Sequence, residues 1–195
     1  MEWESKYPAL MYGSDMQVLA RLVSNLPANS KIVEIGSRVG GSAKVILDHA
    51  PKTANLYCID AEWKLTTDDD PDMYMQMPNI IKRFPEILTY TSTYSYAKEL
   101  LSSYNNVTMI PAESPIDVQD WDFTVDFIFE DSAHENPVLH DNIRFWWDKL
   151  KPGCIMSGHD YSDLFPDVVY EANLLATQED CKLHVEGEIW WLIKK

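Results

Sequence analysis

A chain of 195 residues with 46% hydrophobic composition is long enough to bury most of its apolar surface in a single domain. Lys and Arg number 16 against 31 Asp and Glu, a formal charge of −15, so nucleic acid and anionic membrane surfaces are excluded as expected partners. The three cysteines, Cys58, Cys154 and Cys181, are widely spaced and odd in number, which suits reduced, packed side chains.

The start "MEWESKYPALMYG" has no basic stretch followed by an apolar core, and no apolar run approaches a membrane span. A soluble cytoplasmic protein is expected. After this polar arm, "SDMQVLARLVSNLP" offers a cap at Ser14 or Asp15 and apolar residues at helical intervals, ending before Pro27. Strand and helix patterns then alternate. "KIVEI" is a strand, 41–50 a helix, and "NLYCID", "VTMIP" and "VDFIFED" are strands; 137–150 is a helix, "GCIMSG" a strand and 166–177 a helix. Alternation with short connections signals an α/β domain whose parallel sheet is covered on both faces. The end, "CKLHVEGEIWWLIKK", has no room for a crossover helix between its two runs and reads as a hairpin placing an antiparallel strand in the sheet. The segment at about 62–104 is longer than a usual βα connection; it is expected to be an inserted, lid-like segment carrying one or two helices.

Gly36, Gly40 and Gly41 fall where the first strand hands over to a helix. Glycines there let a backbone approach a ligand closely, and the helix that follows aims its free N–H groups at the same place. The run Gly36-Ser37-Arg38-Val39-Gly40-Gly41 has neither the G-x-G-x-x-G of a dinucleotide fold nor the Gly-Lys-Ser/Thr of a P-loop.

Glu34-x-Gly36-x-x-x-Gly40 resembles the nucleotide-loop motif of class I S-adenosylmethionine (SAM) methyltransferases. The later stretch "FIFEDSAHENPVLHDNIRFWWDKLKPGCIMSGHDYSDLFPDVVYEA" is similar to the second half of the small-molecule O-methyltransferases that include macrolide sugar methyltransferases and the cephalosporin-hydroxylase-like group. The shared features are Asp-x-x-His after strand four, "LKPG" leading into strand five, x-Asp-Tyr after it, and an aromatic-Pro helix start. The resemblance implies a Rossmann-like fold with a mostly parallel seven-stranded sheet, a C-terminal antiparallel hairpin strand, and helices on both faces. It also implies SAM as cofactor, held by Glu34, Gly36, Ser37, Gly40, Gly41, Ser42 and Asp131, with both ribose hydroxyls on Asp60 and adenine beside Glu113 and Ser114.

In such a sheet strands four and five are neighbours about 4.8 Å apart, so Asp131, His134, His159 and Asp160 should meet in one cleft beside the glycine loop. In the resembling sugar methyltransferases the Asp after strand four and an acidic pair after strand five hold Mg²⁺, and the His is the base. Carried over, Asp131, His159 and Asp160 are the metal set, Asp131 and His134 are the catalytic residues, and His134 takes the hydroxyl proton. His159 replaces an acidic residue, and imidazole suits Mn²⁺, Fe²⁺ or Zn²⁺ better than Mg²⁺. Either the metal differs, or His159 bonds substrate, or the site has no metal.

The function expected is methyl transfer from SAM to a hydroxyl of a small polar acceptor, a sugar or vicinal diol, with a divalent metal such as Mg²⁺ or Mn²⁺. Metal-independent N- or O-methyl transfer and a non-catalytic SAM-binding partner subunit are the alternatives. The expected partner is the small-molecule acceptor, with association into a homo-oligomer left open. His49, His140 and His184 are expected to be structural, and Trp146, Trp147, Trp190 and Trp191 to be core. Met73, Tyr74, Met75 and Met77 fit either an acceptor lid or that segment's own small core, and "TDDDPD" at 67–72 a solvated loop.

Overall fold

The computed structural model describes residues 2–62 and 77–195. Of the segment expected to form a lid, Met73, Tyr74, Met75 and the 67–72 loop lie outside the described residues.

The N-terminal arm is less polar in its role than its sequence suggests. Helix α1, Glu2–Lys6, opens it, and the arm beyond it returns to the core, where Tyr7 and Met11 are buried and Trp3 packs against it from the rim. Helix α2 runs Gly13–Ser24 and is not capped by Ser14 or Asp15. The amide of Gly13 donates to Glu4 Oε1 at 2.8 Å, so a carboxylate from α1 does the work of a cap. Asp15 is thereby released for a buried position.

Strand β1 (Lys31–Ile35), helix α3 (Gly41–His49) and strand β2 (Asn55–Asp60) follow as expected. Helix α4 (Pro78–Arg83), a 3₁₀ turn at Pro85–Thr89 and helix α5 (Thr93–Leu100) lead to β3 (Val107–Pro111). Ser92 and Ser95 close a capping box at the start of α5. Beyond lie β4 (Val125–Glu130), α6 (Val138–Lys149), β5 (Leu150–Gly158), α7 (Pro166–Gln178), β6 (His184–Glu186) and β7 (Ile189–Ile193).

The seven strands form one sheet in the order β3-β2-β1-β4-β5-β7-β6. β1 to β5 pair in parallel, whereas β7 runs antiparallel to both β5 and β6. This is the Rossmann-like arrangement expected, including its C-terminal hairpin. Alternate strand residues supply two cores, as a pleat with period two requires. Ile32, Leu56, Cys58, Phe127 and Phe129 face the helices α2, α3 and α5. Val33, Ile35, Ile59, Ile128 and Met156 face α6 and α7. Both faces are covered, so the central strands read as unbroken apolar runs.

Trp146, Trp147 and Trp190 are buried in that second core. His184 stacks on Trp191, His140 pairs with Glu171 and His49 stacks on Trp3, so these three histidines hold structure together. Cys58, Cys154 and Cys181 are free thiols. Within 62–104, α5 is an ordinary crossover helix, since Ala97 and Leu101 belong to the first core. Met77 packs with Val39, Ile80, Ile87 and Tyr96 in a small separate core. Among the described residues, no helix is long and apolar enough to cross a membrane.

Candidate active site

The strand order reverses between β1 and β4, and open α/β sheets bind ligands at that point, beyond the strands' carboxyl ends. A cavity of about 510 Å³ lies there, walled by the loops after β1, β2, β3, β4 and β5 and by Pro8–Leu10 of the N-terminal arm. Its volume is that of a small-molecule site.

Gly36 is required by geometry. Its φ is +92°, and a Cβ there would lie 2.2 Å from the carbonyl oxygen of Asp131, so a side chain would push the β1 and β4 loops apart. Those loops are otherwise joined, with the Asp131 amide donating to the Ile35 carbonyl at 2.9 Å. A Cβ on Gly41 would meet the Pro8 carbonyl at 2.3 Å, so the arm closes over the first turn of α3. Gly40, at φ +80°, makes the turn that starts α3 and does not itself wall the cavity.

Glu34 also stands behind the wall. It is fully buried, and its carboxylate accepts a hydrogen bond from the Ser37 hydroxyl. Burial pushes its pKa up to about 7, against the opposing hydrogen bonds of Ser37, Ser42 and Cys58. Glu34 therefore pins Ser37 and Ser42, which do wall the cavity. Asp60 ends β2 and uses both oxygens on backbone, Oδ2 accepting from the Arg38 amide at 2.5 Å and Oδ1 from the Glu62 amide at 2.8 Å. Glu113 and Ser114 line the far side, where the Ser114 hydroxyl accepts from Trp146 Nε1 at 2.8 Å. A core tryptophan thus fixes a cavity residue.

At the other end, Asp131, His134 and Asp160 each offer a ligand atom within 4.8 Å of the others. His134 Nε2 and Asp160 Oδ2 are 2.6 Å apart, and the imidazole lies against Phe165 with ring centroids 4.4 Å apart. The Asp160 bond raises the His134 pKa, with burial opposing. Asp160 adopts φ +60°. Burial would raise its pKa, but the bonds to His134 and His159 hold it well below the usual carboxylate range.

His159 does not join the other three on the cavity wall. It is buried, with Nδ1 3.5 Å from Asp131 Oδ1 and 3.2 Å from Asp160 Oδ1, and Nε2 3.5 Å from Asp15 Oδ2. Burial opposes its charge, yet the neighbouring carboxylates of Asp131, Asp15 and Asp160 outweigh it and push its pKa up to about 12. Its Nδ1 thus faces two of the carboxylates with which it was expected to share a metal. His159 also lies within ligand spacing of Asp160 and Glu188, a second possible set.

Sequence reasoning missed the site role of Asp15, whose Oδ1 also accepts from the Glu188 amide at 3.2 Å; a carboxylate near a helix start gave no hint of partners as distant in the chain as His159 and Glu188. It missed Pro8–Leu10 for the same reason. Asn142, buried on α6, was also unmarked; it lines the cavity, and its Oδ1 has no hydrogen-bond partner among the described residues.

A family model described as a methyltransferase domain matches residues 33–161, from β1 through the β5 loop. The chain belongs to that family. It is a class I SAM-dependent methyltransferase. No curated protein matches the sequence. A putative caffeoyl-CoA O-methyltransferase from Staphylococcus aureus superposes with a TM-score of 0.63 at 15% identity, covering 97% of this chain and 87% of that one. The O-methyltransferase TomG from Streptomyces achromogenes, solved with SAM, gives 0.62 at 13% identity over 95% and 82% of the two chains. A putative rRNA methylase from Clostridium thermocellum gives 0.62 at 10% identity over 95% and 98%. At these identities the likeness is one of fold.

The residues present fit SAM. Residues of the turn into α3, among them Gly36, Ser37, Gly41 and Ser42, wall the cavity, the start of a helix suits the carboxylate of a methionyl group, and Asp60 at the end of β2 and Ser114 after β3 stand on the same wall.

Proposed function

We propose that this methyltransferase transfers the methyl group of SAM to a hydroxyl of a small acceptor, such as a sugar or vicinal diol, with His134 as general base. The observation that carries the reading is the 2.6 Å bond between His134 Nε2 and Asp160 Oδ2 on the cavity wall. A hydroxyl becomes a competent nucleophile as its proton leaves, and an imidazole at the cavity surface can take it. Asp160 orients the ring and stabilises the imidazolium that results.

SAM supplies an electrophilic methyl group on its sulfonium. On this reading the β1 loop and the α3 N-terminus hold the cofactor, Asp60 receives the ribose with its remaining lone pairs, and Ala112–Ser114 and Asn142 surround the adenine. Glu34 acts from behind, by fixing Ser37 and Ser42. The formal charge of −15 favours a small molecule over a polyanion such as the RNA named for the Clostridium structure.

A metal-assisted variant is favoured by one observation, the close spacing of Asp131, His134 and Asp160. Those three would hold a divalent cation, which would acidify a coordinated hydroxyl, and their nitrogen donor suits Mn²⁺ better than Mg²⁺. Against it, His159 Nδ1 already faces the carboxylates of both Asp131 and Asp160. His134 acting with Asp160 is therefore the reading we adopt. Calorimetric titration with SAM and its product S-adenosylhomocysteine, followed by a screen of small hydroxyl compounds for methyl transfer with and without chelator, tests it.

A further inference from the structure

We propose that the acceptor is uncharged and presents its hydroxyl on an apolar ring or chain, and that acceptors bearing a carboxylate or phosphate are turned away. This rests on the methyl-transfer reading above and specifies the class of substrate for the same cavity.

Charge is the first observation. Asp60, Glu62, Glu113, Asp131 and Asp160 all line the cavity. The cationic side chains among the described lining residues are matched already. Arg38 Nε lies 3.3 Å from Glu62 Oε2, and His134 faces Asp160. An incoming anion would add a like charge beside carboxylates in a partly desolvated space, where Coulomb repulsion is several times stronger than in water. The sulfonium of SAM suits such a wall, and a neutral acceptor does not oppose it.

The second observation is independent of charge. Leu10 and Val138 are 47% and 41% exposed, yet both are walls of the cavity, and Phe165 is a third apolar residue on that wall. They come from the N-terminal arm, the first residue of α6 and the residue before α7. Phe165 also packs against the His134 ring, so one of these apolar residues stands beside the base. Covering exposed leucine and valine with an apolar ring is favourable in proportion to the area removed from water, and it would leave the hydroxyl at His134.

The test uses paired probes and calorimetry in the presence of saturating S-adenosylhomocysteine. The uncharged members are 1,2-dihydroxybenzene, cyclohexane-1,2-diol and a methyl pyranoside, each set beside its carboxylate-bearing counterpart. At least one uncharged member, and an aryl or cyclohexyl one before the pyranoside, should bind about tenfold or more tightly than its anionic partner. Val138→Lys places a cation on an exposed first helical position and should raise the affinity of the anionic partner while lowering that of the uncharged one. Equal or tighter binding by the anionic members, or no binding by any uncharged member, overturns the proposal even where S-adenosylhomocysteine binds. Failure of S-adenosylhomocysteine itself to bind overturns the methyl-transfer reading instead.

Discussion

His134 Nε2 and Asp160 Oδ2 lie 2.6 Å apart and join the loop after β4 to the end of β5 across the cavity mouth. The pairing raises the pKa of His134 above its ordinary 6.5. A base must be neutral to act, so turnover should rise with pH through that raised value, and the acid limb of the kcat/KM profile should lie above pH 6.5. Asp160→Asn removes the main cause and should move the limb to lower pH while slowing the reaction. An acid limb unchanged in the Asn variant would detach His134 from this role.

Cofactor binding depends on Asp60 and Gly36. Asp60→Ala should weaken SAM by roughly 1–3 kcal/mol, the usual cost of losing a charged hydrogen-bond partner, as read by titration calorimetry. Gly36→Ala must fit a Cβ 2.2 Å from the Asp131 carbonyl oxygen at φ +92°. It should lower the melting temperature and abolish SAM binding together, because the two loops that make the cradle would separate.

Two buried carboxyls set a pH dependence of stability. Burial raises Glu34 and Glu130 to about 7, so between pH 4.5 and 7 the folded chain holds protons that the unfolded chain has released. Their contribution to stability is greatest below that window and falls as pH rises through it, by at most roughly 3 kcal/mol for each group. Urea unfolding at the two ends of the window should show this decline, and Glu34→Gln should flatten it. Asp48 and Asp160 are shifted the other way, so their support is fully present above the ordinary carboxylate value of 3.8 and is lost only as pH falls below it.

Exhaustive chelation of the native protein should leave the rate of methyl transfer unchanged, because His159 Nδ1 already partners the carboxylates of Asp131 and Asp160. Loss of activity on chelation, restored by Mn²⁺, would move Asp131, His134 and Asp160 into the role of ligands.

The strand and helix rhythm, the C-terminal hairpin and the glycine turn were legible in the sequence because they are local: short apolar runs, helical spacings and turn residues act over a few positions. Asp131, His134 and Asp160 were also legible as neighbours, because parallel pairing of β4 with β5 follows from the fold. What stayed hidden is contact across long separations. The bond from Glu4 to Gly13 displaced the cap expected at Ser14 or Asp15, and the freed Asp15 then reached His159. Nothing in either residue's neighbourhood announces its partner. Glu34 shows the converse: the motif marked it as a cofactor residue, but burial within β1 places it behind the cavity wall rather than on it.

The most direct measurement follows transfer of the labelled methyl of SAM to a panel of small neutral diols, comparing native protein with His134→Ala at equal occupancy by cofactor. The account predicts labelled product with the native protein and a rate lower by about 10² to 10⁴ in the variant, with S-adenosylhomocysteine affinity retained in both. Equal rates in the two proteins, or a variant that loses cofactor affinity and turnover in step, would contradict the assignment of His134 as the base.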